Sequence, residues 1–208
     1  TRSIVPLDPA ELLASARETT GLQEVGDPHW IETFERRIRS IDEESNANLL
    51  GRFLARAEAI RVLHTKLRLH EAWAREPAIL EEPIERPIFV LGAPRTGTTI
   101  LLELLALDPG LRALIAWEAQ HPLPFEGAED KETRRRLAEA EHDLWMDIQP
   151  ELATLHEMSA DLPCECIHFL AMEFGGPYWA MHYKAPSFTA WAMNQPDILP
   201  RTYHFHRQ

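Results

Sequence analysis

The sequence predicts an α/β fold, a parallel sheet flanked by helices, with a helical region at its N-terminal end. Two observations predict this fold class. Apolar residues recur at three- and four-residue spacing through most of residues 1–80, which is the period of an amphipathic helix. A short apolar run then leads into a glycine-bounded loop and a strongly helix-forming segment, an order of elements typical of α/β proteins. We therefore divide the chain into a helical region, residues 1–80, and the first part of an α/β domain, residues 81–208.

Composition excludes several classes of protein. The chain has 208 residues, of which 45% are hydrophobic and 26% charged, as in an ordinary globular protein. The net charge of −12 makes nucleic-acid binding unexpected, because phosphate contacts need a basic face. The most apolar stretch, residues 98–117, is interrupted by Glu103, Asp108 and Pro109, so no membrane span is expected. With no leader visible and with Cys164 and Cys166 interpreted as buried thiols, we expect a cytoplasmic protein. Composition does not indicate an oligomeric state.

Three helices are predicted in residues 1–80. The first begins at Asp8-Pro9, a capping residue followed by proline, and ends at Gly21. The second begins after Asp27-Pro28, and the third covers residues 45–75. The residues expected to face inward are Trp30, Phe34, Ile38, Ile41, Leu50, Phe53, Leu54, Ala57, Ile60, Leu63 and Leu67. The charged residues expected on a solvated face are Arg52, Arg56, Glu58, Arg61 and Arg68.

The α/β part is predicted to begin with a strand. Residues 88–91 form a short apolar run suited to a strand buried on both faces, and residues 100–107 form a helix that ends at Asp108. Residues 111–117 suggest a second strand or extended segment. Further helices are predicted near residues 129–145, 163–174 and 187–194, the first with Leu137, Leu144 and Trp145 on its buried side.

The loop between the first strand and its helix has the pattern of a phosphate-binding loop. Gly92 and Gly97 have the G-x-x-x-x-G spacing of a P-loop, whose backbone N–H groups surround an anion at a helix N-terminus. The lysine of a nucleotide P-loop is replaced by Thr98, while Arg95 supplies a cation within the loop. No hydrophobic run ending in aspartate suggests a Mg²⁺ site, so no metal is expected. The candidate binding residues are Gly92, Ala93, Pro94, Arg95, Thr96, Gly97, Thr98 and Thr99.

Residues 87–99, PIFVLGAPRTGTT, resemble the 5′-phosphosulfate-binding loop of sulfotransferases, in particular the bacterial, mycobacterial-type group. Trp117-Glu118 and the Pro-Leu-Pro of residues 122–124 agree with that group, as do residues 156–165 and 186–191. The resemblance implies 3′-phosphoadenosine-5′-phosphosulfate (PAPS) as sulfuryl donor and adenosine 3′,5′-bisphosphate as product. The acceptor would be a hydroxyl of a small molecule, lipid or sugar. In that group the 3′-phosphate site follows a segment that residues 203–207 resemble, so we expect the chain to be truncated before this site and the sheet to be incomplete.

A general base for the acceptor hydroxyl has three candidates. Glu118 ends the segment that follows the loop helix, and the resemblance places a glutamate at this point. His121 is an alternative because histidine titrates near neutral pH, and His156 beside Glu157 is a third candidate. Arg95 is expected to stabilise charge on the leaving phosphate. The aromatic and sulfur-containing residues expected to form core rather than an acceptor pocket are Trp145, Met146, Phe169, Phe174, Tyr178, Trp179 and Phe188.

Two other functions fit parts of this pattern. A P-loop kinase-like phosphotransferase would use the same loop, but with a lysine and Mg²⁺. A truncated, non-catalytic nucleotide-binding or interaction module would retain only half of the ligand site. Binding of adenosine 3′,5′-bisphosphate, with and without Mg²⁺, distinguishes these alternatives from a sulfotransferase.

Overall fold

The computed structural model describes residues 1–93, 95–125, 131–155 and 157–208. Within these ranges the secondary structure is helical, and none of the helices combines the length and apolarity needed to span a membrane. The α-helices are α1 (Pro9–Thr20), α2 (His29–Glu44), α3 (Leu49–Arg75), α4 (Thr98–Ala106), α5 (Ala116–Gln120), α6 (Lys131–Ile148), α7 (Leu152–Leu155), α8 (Ile167–Leu170), α9 (Tyr178–His182), α10 (Pro186–Ala192) and α11 (Ile198–Arg207). Short 3₁₀ segments cover Pro77–Glu81 and Ala171–Glu173.

The chain forms two compact units. Unit 1 combines Thr1–Glu81 with Ile167–Gln208, and unit 2 is Glu82–Cys166. The predicted domains, residues 1–80 and 81–208, stay a prediction. In the structure, residues 167–208 pack with the N-terminal helices.

The first two N-terminal helices begin where their start signals predict. The Asp8 carboxylate accepts a hydrogen bond from the Glu11 N–H (2.8 Å), and Gly21 ends α1 in the left-handed conformation with φ of 69°. The third helix begins later than predicted, because Asn48 caps it by accepting from the Gly51 N–H (2.8 Å). Local capping chemistry therefore determines these boundaries.

The core of unit 1 is aromatic. Trp30 and Phe34 of α2 pack against Phe174, whose ring stacks on Trp179 with the centroids 5.1 Å apart. Tyr178 and Phe188 are also buried in this unit, which confirms the expectation that these aromatic residues form core. Leu50 and Phe53 of α3 were expected to face inward, but their side chains are about half exposed, at 49% and 58%.

Charged residues of α3 depart from the predicted solvated face. Arg52 is buried, pairs with Asp42 and donates to the Val5 carbonyl (2.9 Å). Glu58 pairs with Arg61 (2.5 Å) and accepts from the Tyr178 hydroxyl (2.6 Å). The solvated-face prediction is wrong for these residues, since hydrogen bonds and ion pairs replace the water that their charges lose on burial.

The described residues of unit 2 do not form the predicted sheet. Residues 88–91 belong to no helix or strand, and Phe89 and Leu91 are 72% and 86% exposed. A parallel strand needs a neighbouring strand for its N–H and C=O groups, and the described residues place none beside this segment. Within the described ranges, the β-pairing is an isolated antiparallel bridge between Ile115 and Pro163. The helical half of the α/β prediction is therefore observed, and the sheet is not.

Helix α6 lies close to the predicted helix but buries a different face. It covers Lys131–Ile148, and residues 126–130 lie outside the described part of the chain. Ala138 and His142 are buried, whereas Leu137 and Leu144, predicted inward, are 39% and 45% exposed. The buried face follows contacts with α5, which the apolar pattern of α6 alone does not reveal.

Candidate functional site

The loop of residues 92–99 brings its backbone close to its own side chains. A Cβ atom at Gly92 would lie 2.7 Å from Thr96 Oγ1 and 2.8 Å from Thr98 Cγ2, so a larger residue would have to displace these side chains. The Thr96 hydroxyl donates to the Ala93 carbonyl (2.6 Å) and closes the loop. Arg95 and Gly97 both have left-handed backbones, with φ of 67° and 92°. Pro94 was predicted to belong to this loop and lies outside the described residues.

The loop leads directly into the N-terminus of α4. Gly97 occupies the N-cap position, and the first N–H to bond within the helix is that of Leu101, which donates to the Gly97 carbonyl (3.1 Å). The N–H groups of Thr98, Thr99 and Ile100 therefore point out of the helix end, where the helix dipole is positive. This arrangement suits an anion, as the glycine spacing predicts.

Arg95 is an exposed cation within this loop. Its Nη1 donates to the carbonyl of Leu155 (2.9 Å), which is in the same unit, at the end of α7. A hydrogen bond to an exposed neutral carbonyl is weak compared with one to a charged anion. The guanidinium can therefore exchange this partner for a phosphate or sulfate oxygen at low cost.

Glu118 lies in the first turn of α5 rather than at the end of a strand. The preceding segment is held by backbone hydrogen bonds with residues 160–164, among them the Cys164 N–H to the Leu114 carbonyl (2.9 Å). The Glu118 carboxylate accepts from Arg112 Nη2 (3.1 Å) and its side chain is 28% exposed. A partly exposed carboxylate with one cationic partner retains lone pairs that can accept a proton from a hydroxyl.

His121 is more enclosed than Glu118. It is buried, at 7% exposure, and its Nε2 lies 3.2 Å from Glu141 Oε2. Helix α6 therefore supplies the partner of the His121 ring and fixes the position of that ring. Among the described residues, the hydrogen bonds of these side chains go to separate partners: Glu118 bonds Arg112, His121 bonds Glu141, and Arg95 bonds Leu155.

Several polar residues around α5 were not identified from the sequence. Arg134 donates to the carbonyls of His121 (3.1 Å) and Pro122 (3.2 Å), and Gln120 Nε2 lies 2.9 Å from His142 Nε2. Burial lowers the pKa of His142, which favours the neutral ring. The only sequence signal for these partners is that residues 134, 138, 141 and 142 share one helical face.

The structure also describes Glu157 and the two cysteines, which were singled out from the sequence. His156 lies outside the described residues, and its neighbour Glu157 is exposed. The cysteines were expected to be buried thiols, but Cys166 is exposed and Cys164 is half-buried, where burial raises its thiol pKa to about 12. Both are free. Across the described ranges, no three His, Cys, Asp or Glu side chains come together as potential metal ligands.

The geometry is typical of a loop that binds an anion at a helix N-terminus, and the comparisons define the family. A family model described as "Sulfotransferase family" matches residues 87–205, which begins at the segment leading into the loop. The structure is similar to sulfotransferase STF1 from Mycobacterium tuberculosis, with 30% identity and a TM-score of 0.77 over 95% of this chain and 55% of that one. It is similarly close to sulfotransferase STF9 from Mycobacterium avium, with 27% identity and a TM-score of 0.78 over 95% of this chain and 51% of that one.

The chain belongs to the sulfotransferase family, of the type found in mycobacteria. It spans about half the length of the two solved sulfotransferases. No curated protein gives a significant match.

Proposed function

We propose that this protein transfers a sulfuryl group from PAPS to an acceptor hydroxyl, with the loop of residues 92–99 holding the 5′-phosphosulfate of the donor. The observation that carries the proposal is the match of residues 87–205 to the sulfotransferase family, which includes the whole of the anion-binding loop. The acceptor, a small molecule, lipid or sugar, and the cytoplasmic location are proposed with it.

The chemistry of the loop fits a phosphosulfate. Gly92 lets the backbone pack closely against Thr96 and Thr98, the N–H groups of Thr98 and Thr99 point outward, and Arg95 supplies positive charge. These residues would bind the donor's sulfate and 5′-phosphate oxygens by charge-assisted hydrogen bonds. Thr98 stands where a nucleotide P-loop has its lysine, which disfavours a triphosphate. Arg95 and the α4 N-terminus would also stabilise the charge that develops on the departing 5′-phosphate.

The acceptor hydroxyl needs a proton acceptor, and we propose Glu118 for this role. In the reaction the acceptor oxygen bonds to sulfur, the bond from sulfur to the 5′-phosphate oxygen breaks with its electron pair staying on the phosphate, and the hydroxyl proton passes to the base. Glu118 is partly exposed and has one cationic partner, Arg112, whereas His121 is enclosed by α6. The Glu118 carboxylate is therefore more accessible to an acceptor than the His121 ring.

The test is a pair of measurements on the complete gene product. Calorimetric titration with adenosine 3′,5′-bisphosphate is expected to show binding both with Mg²⁺ and in EDTA, and ATP is expected to bind far more weakly. Incubation with ³⁵S-labelled PAPS and a panel of hydroxyl-bearing sugars, lipids and small molecules is expected to label an acceptor in EDTA. Binding that requires Mg²⁺ and prefers ATP would replace the proposal with a phosphotransferase, and absence of bisphosphate binding would overturn it.

A further inference from the structure

One face of α6 holds the segment that carries Glu118 and His121, two of the three candidate bases. Glu141 lies beside the ring of His121, and His142 beside the side-chain amide of Gln120. Arg134, two turns earlier on the same face, reaches the turn that follows α5. Three residues of α6 therefore hold the segment of residues 117–122 in place.

Arg134 makes three contacts with this segment. Its Nη1 donates to the carbonyl of His121 (3.1 Å) and to that of Pro122 (3.2 Å), and its guanidinium carbon lies 4.8 Å from the centre of the Trp117 ring. Trp117 directly precedes Glu118, and His121 follows it by three residues. The guanidinium thus touches the chain on both sides of Glu118 without touching its carboxylate.

The segment depends on such contacts because α5 is too short to hold its own shape. It has five residues, Ala116–Gln120, and no side chain caps its N-terminus. Helices of this length are unstable in isolation, so tertiary contacts determine where their side chains point. The carbonyls of His121 and Pro122 lie at the C-terminal end of α5, where a cation also interacts favourably with the helix dipole.

We propose that Arg134 is a positioning residue for the transfer reaction: by holding the His121 and Pro122 carbonyls and the Trp117 ring, it fixes α5 so that the Glu118 carboxylate meets the acceptor hydroxyl. The proposal rests on the proposed function, because it presumes that Glu118 is the base. A base displaced by about 1 Å loses on the order of 10²-fold in rate, so a residue that only orients the base has a large kinetic effect.

The first experiment compares Arg134→Met and Arg134→Lys in the complete gene product. Methionine keeps the length of the side chain but removes its charge and donors, and lysine keeps the donors but not the planar group that lies on Trp117. We expect kcat to fall about 10- to 100-fold in Arg134→Met and less in Arg134→Lys, with the KM for PAPS unchanged. Arg136→Met is the matched control, since Arg136 lies on the same helix, is 76% exposed and pairs with Glu132.

A double-mutant cycle separates positioning from general damage to the fold. If Arg134 acts through Glu118, Arg134→Met added to Glu118→Gln lowers kcat little further, because the group that it positions is already lost. Equal fold losses in the Glu118→Gln background and in the wild type would overturn the proposal. An unchanged kcat in Arg134→Met would overturn it as well.

Amide hydrogen exchange distinguishes failure of this inference from failure of the proposed function. Residues 117–122 are expected to exchange faster in Arg134→Met than in the wild type and Arg136→Met, whether or not the protein turns over PAPS. Unchanged exchange rates overturn the positioning role. Faster exchange in a protein whose wild-type form neither binds adenosine 3′,5′-bisphosphate nor transfers sulfate would instead reject the sulfotransferase mechanism and, with it, a catalytic meaning for Arg134.

Discussion

Arg95 shows how a single residue combines an unusual backbone with an exposed charge. Its left-handed φ of 67° turns the loop, and within the described residues its side chain bonds a neutral carbonyl, that of Leu155. A residue other than glycine adopts this backbone region at a cost, which the surrounding loop must offset. An exposed arginine in this costly backbone conformation is what we expect of a residue that serves ligand binding rather than stability.

Replacing Arg95 with alanine is expected to weaken binding of adenosine 3′,5′-bisphosphate and PAPS at least tenfold. A hydrogen bond to a charged group contributes ~1.5–3 kcal/mol, and ~1.4 kcal/mol corresponds to a factor of ten. Calorimetric titration measures the affinity, and circular dichroism confirms that helix content is retained. Arg75→Ala, which removes an exposed arginine from unit 1, serves as the control. Equal affinity in Arg95→Ala and wild type would remove Arg95 from the binding site.

Glu118→Gln is expected to lower kcat about 10²- to 10⁴-fold, the usual contribution of a general base. Glutamine keeps the size of the side chain and can still lie near Arg112, so affinity for adenosine 3′,5′-bisphosphate should be unchanged. Steady-state kinetics with saturating PAPS provide the measurement, and His121→Ala is expected to have a smaller effect. If the histidine variant loses more activity than the glutamine variant, the base is His121.

Residue patterns allowed the loop to be predicted, but not the partners of the candidate bases. Gly92, Arg95 and Gly97 lie within six consecutive positions, so their relation is visible in the sequence. Arg134 and Glu141 contact His121 from another helix, and this pairing depends on a tertiary turn. No local pattern encodes which face of α6 meets α5.

At the scale of elements, the loop packs directly against the start of α4, because Gly92 lies against Thr96 and Thr98. Gly92→Ala would place a methyl group 2.7–2.8 Å from these side chains, so Thr96 and Thr98 must shift. We expect weaker binding of adenosine 3′,5′-bisphosphate with little change in the midpoint of thermal unfolding, since the loop is exposed. Gly51→Ala in α3, where the nearest atom is 3.2 Å away, is the control. Unchanged affinity in Gly92→Ala would show that close packing of the loop is not needed for binding.

Helix α3 is joined to the 3₁₀ segment Ala171–Glu173 by a buried ion pair. Lys66 is almost fully buried, pairs with Glu173, and its Nζ lies 4.1 Å from the centre of the Phe205 ring and 4.9 Å from that of Trp30. Burial lowers the pKa of Lys66, and the Glu173 carboxylate opposes this shift. The ion pair with Glu173 therefore offsets the cost of burying the Lys66 charge between the Phe205 and Trp30 rings.

Lys66→Met is expected to lower the free energy of unfolding by ~3–5 kcal/mol, because it leaves the Glu173 carboxylate buried without its partner. The double variant Lys66→Met, Glu173→Met should recover much of this loss, since no isolated charge remains. Urea unfolding followed by circular dichroism measures both, with Lys184→Met as an exposed control. A double variant as unstable as the single one would show that the pair itself, rather than the unpaired carboxylate, determines the loss.

Helices could be predicted better than strands because their signals are local. The Asp8 cap and Gly21 end of α1 lie within the helix's own neighbourhood. The buried charges of α3 were missed, since a helical pattern does not show that Arg52 meets Asp42 or that Lys66 meets Glu173. A strand at residues 88–91 would require neighbouring strands as hydrogen-bond partners. In this structure the segment is exposed. The chain spans about half the length of the solved sulfotransferases.

At the scale of the whole molecule, stability is expected to fall as the pH drops below neutrality. The ring of His70 is packed against Trp73 and Phe205, and burial, with Lys66 nearby, lowers its pKa from 6.5 to about 4. Between these values the unfolded chain binds a proton that the folded protein does not, so acid favours unfolding and stability rises with pH. Burial also lowers the pKa of His64, His142 and His206, which act in the same direction.

Urea unfolding at pH 7 and pH 5 tests this dependence. The decrease in unfolding free energy between the two values should be smaller in His70→Gln than in the wild type, because one of the contributing groups no longer titrates. His29→Gln, which removes an exposed histidine that is 63% accessible, serves as the control. An equal decrease in His70→Gln and wild type would show that His70 does not contribute.

The division of unit 1 between the two ends of the chain has a consequence for biosynthesis. Its N-terminal helices leave the ribosome first, yet their buried partners Phe174, Trp179 and Phe205 lie in residues 167–208, after all of unit 2. Until that segment emerges, Trp30 and Phe34 have no aromatic neighbours from the later part of the chain, and their apolar surface is open to chaperones. Closing unit 1 also means closing a long intervening loop, so the core is completed late and more slowly than in a bundle of consecutive helices.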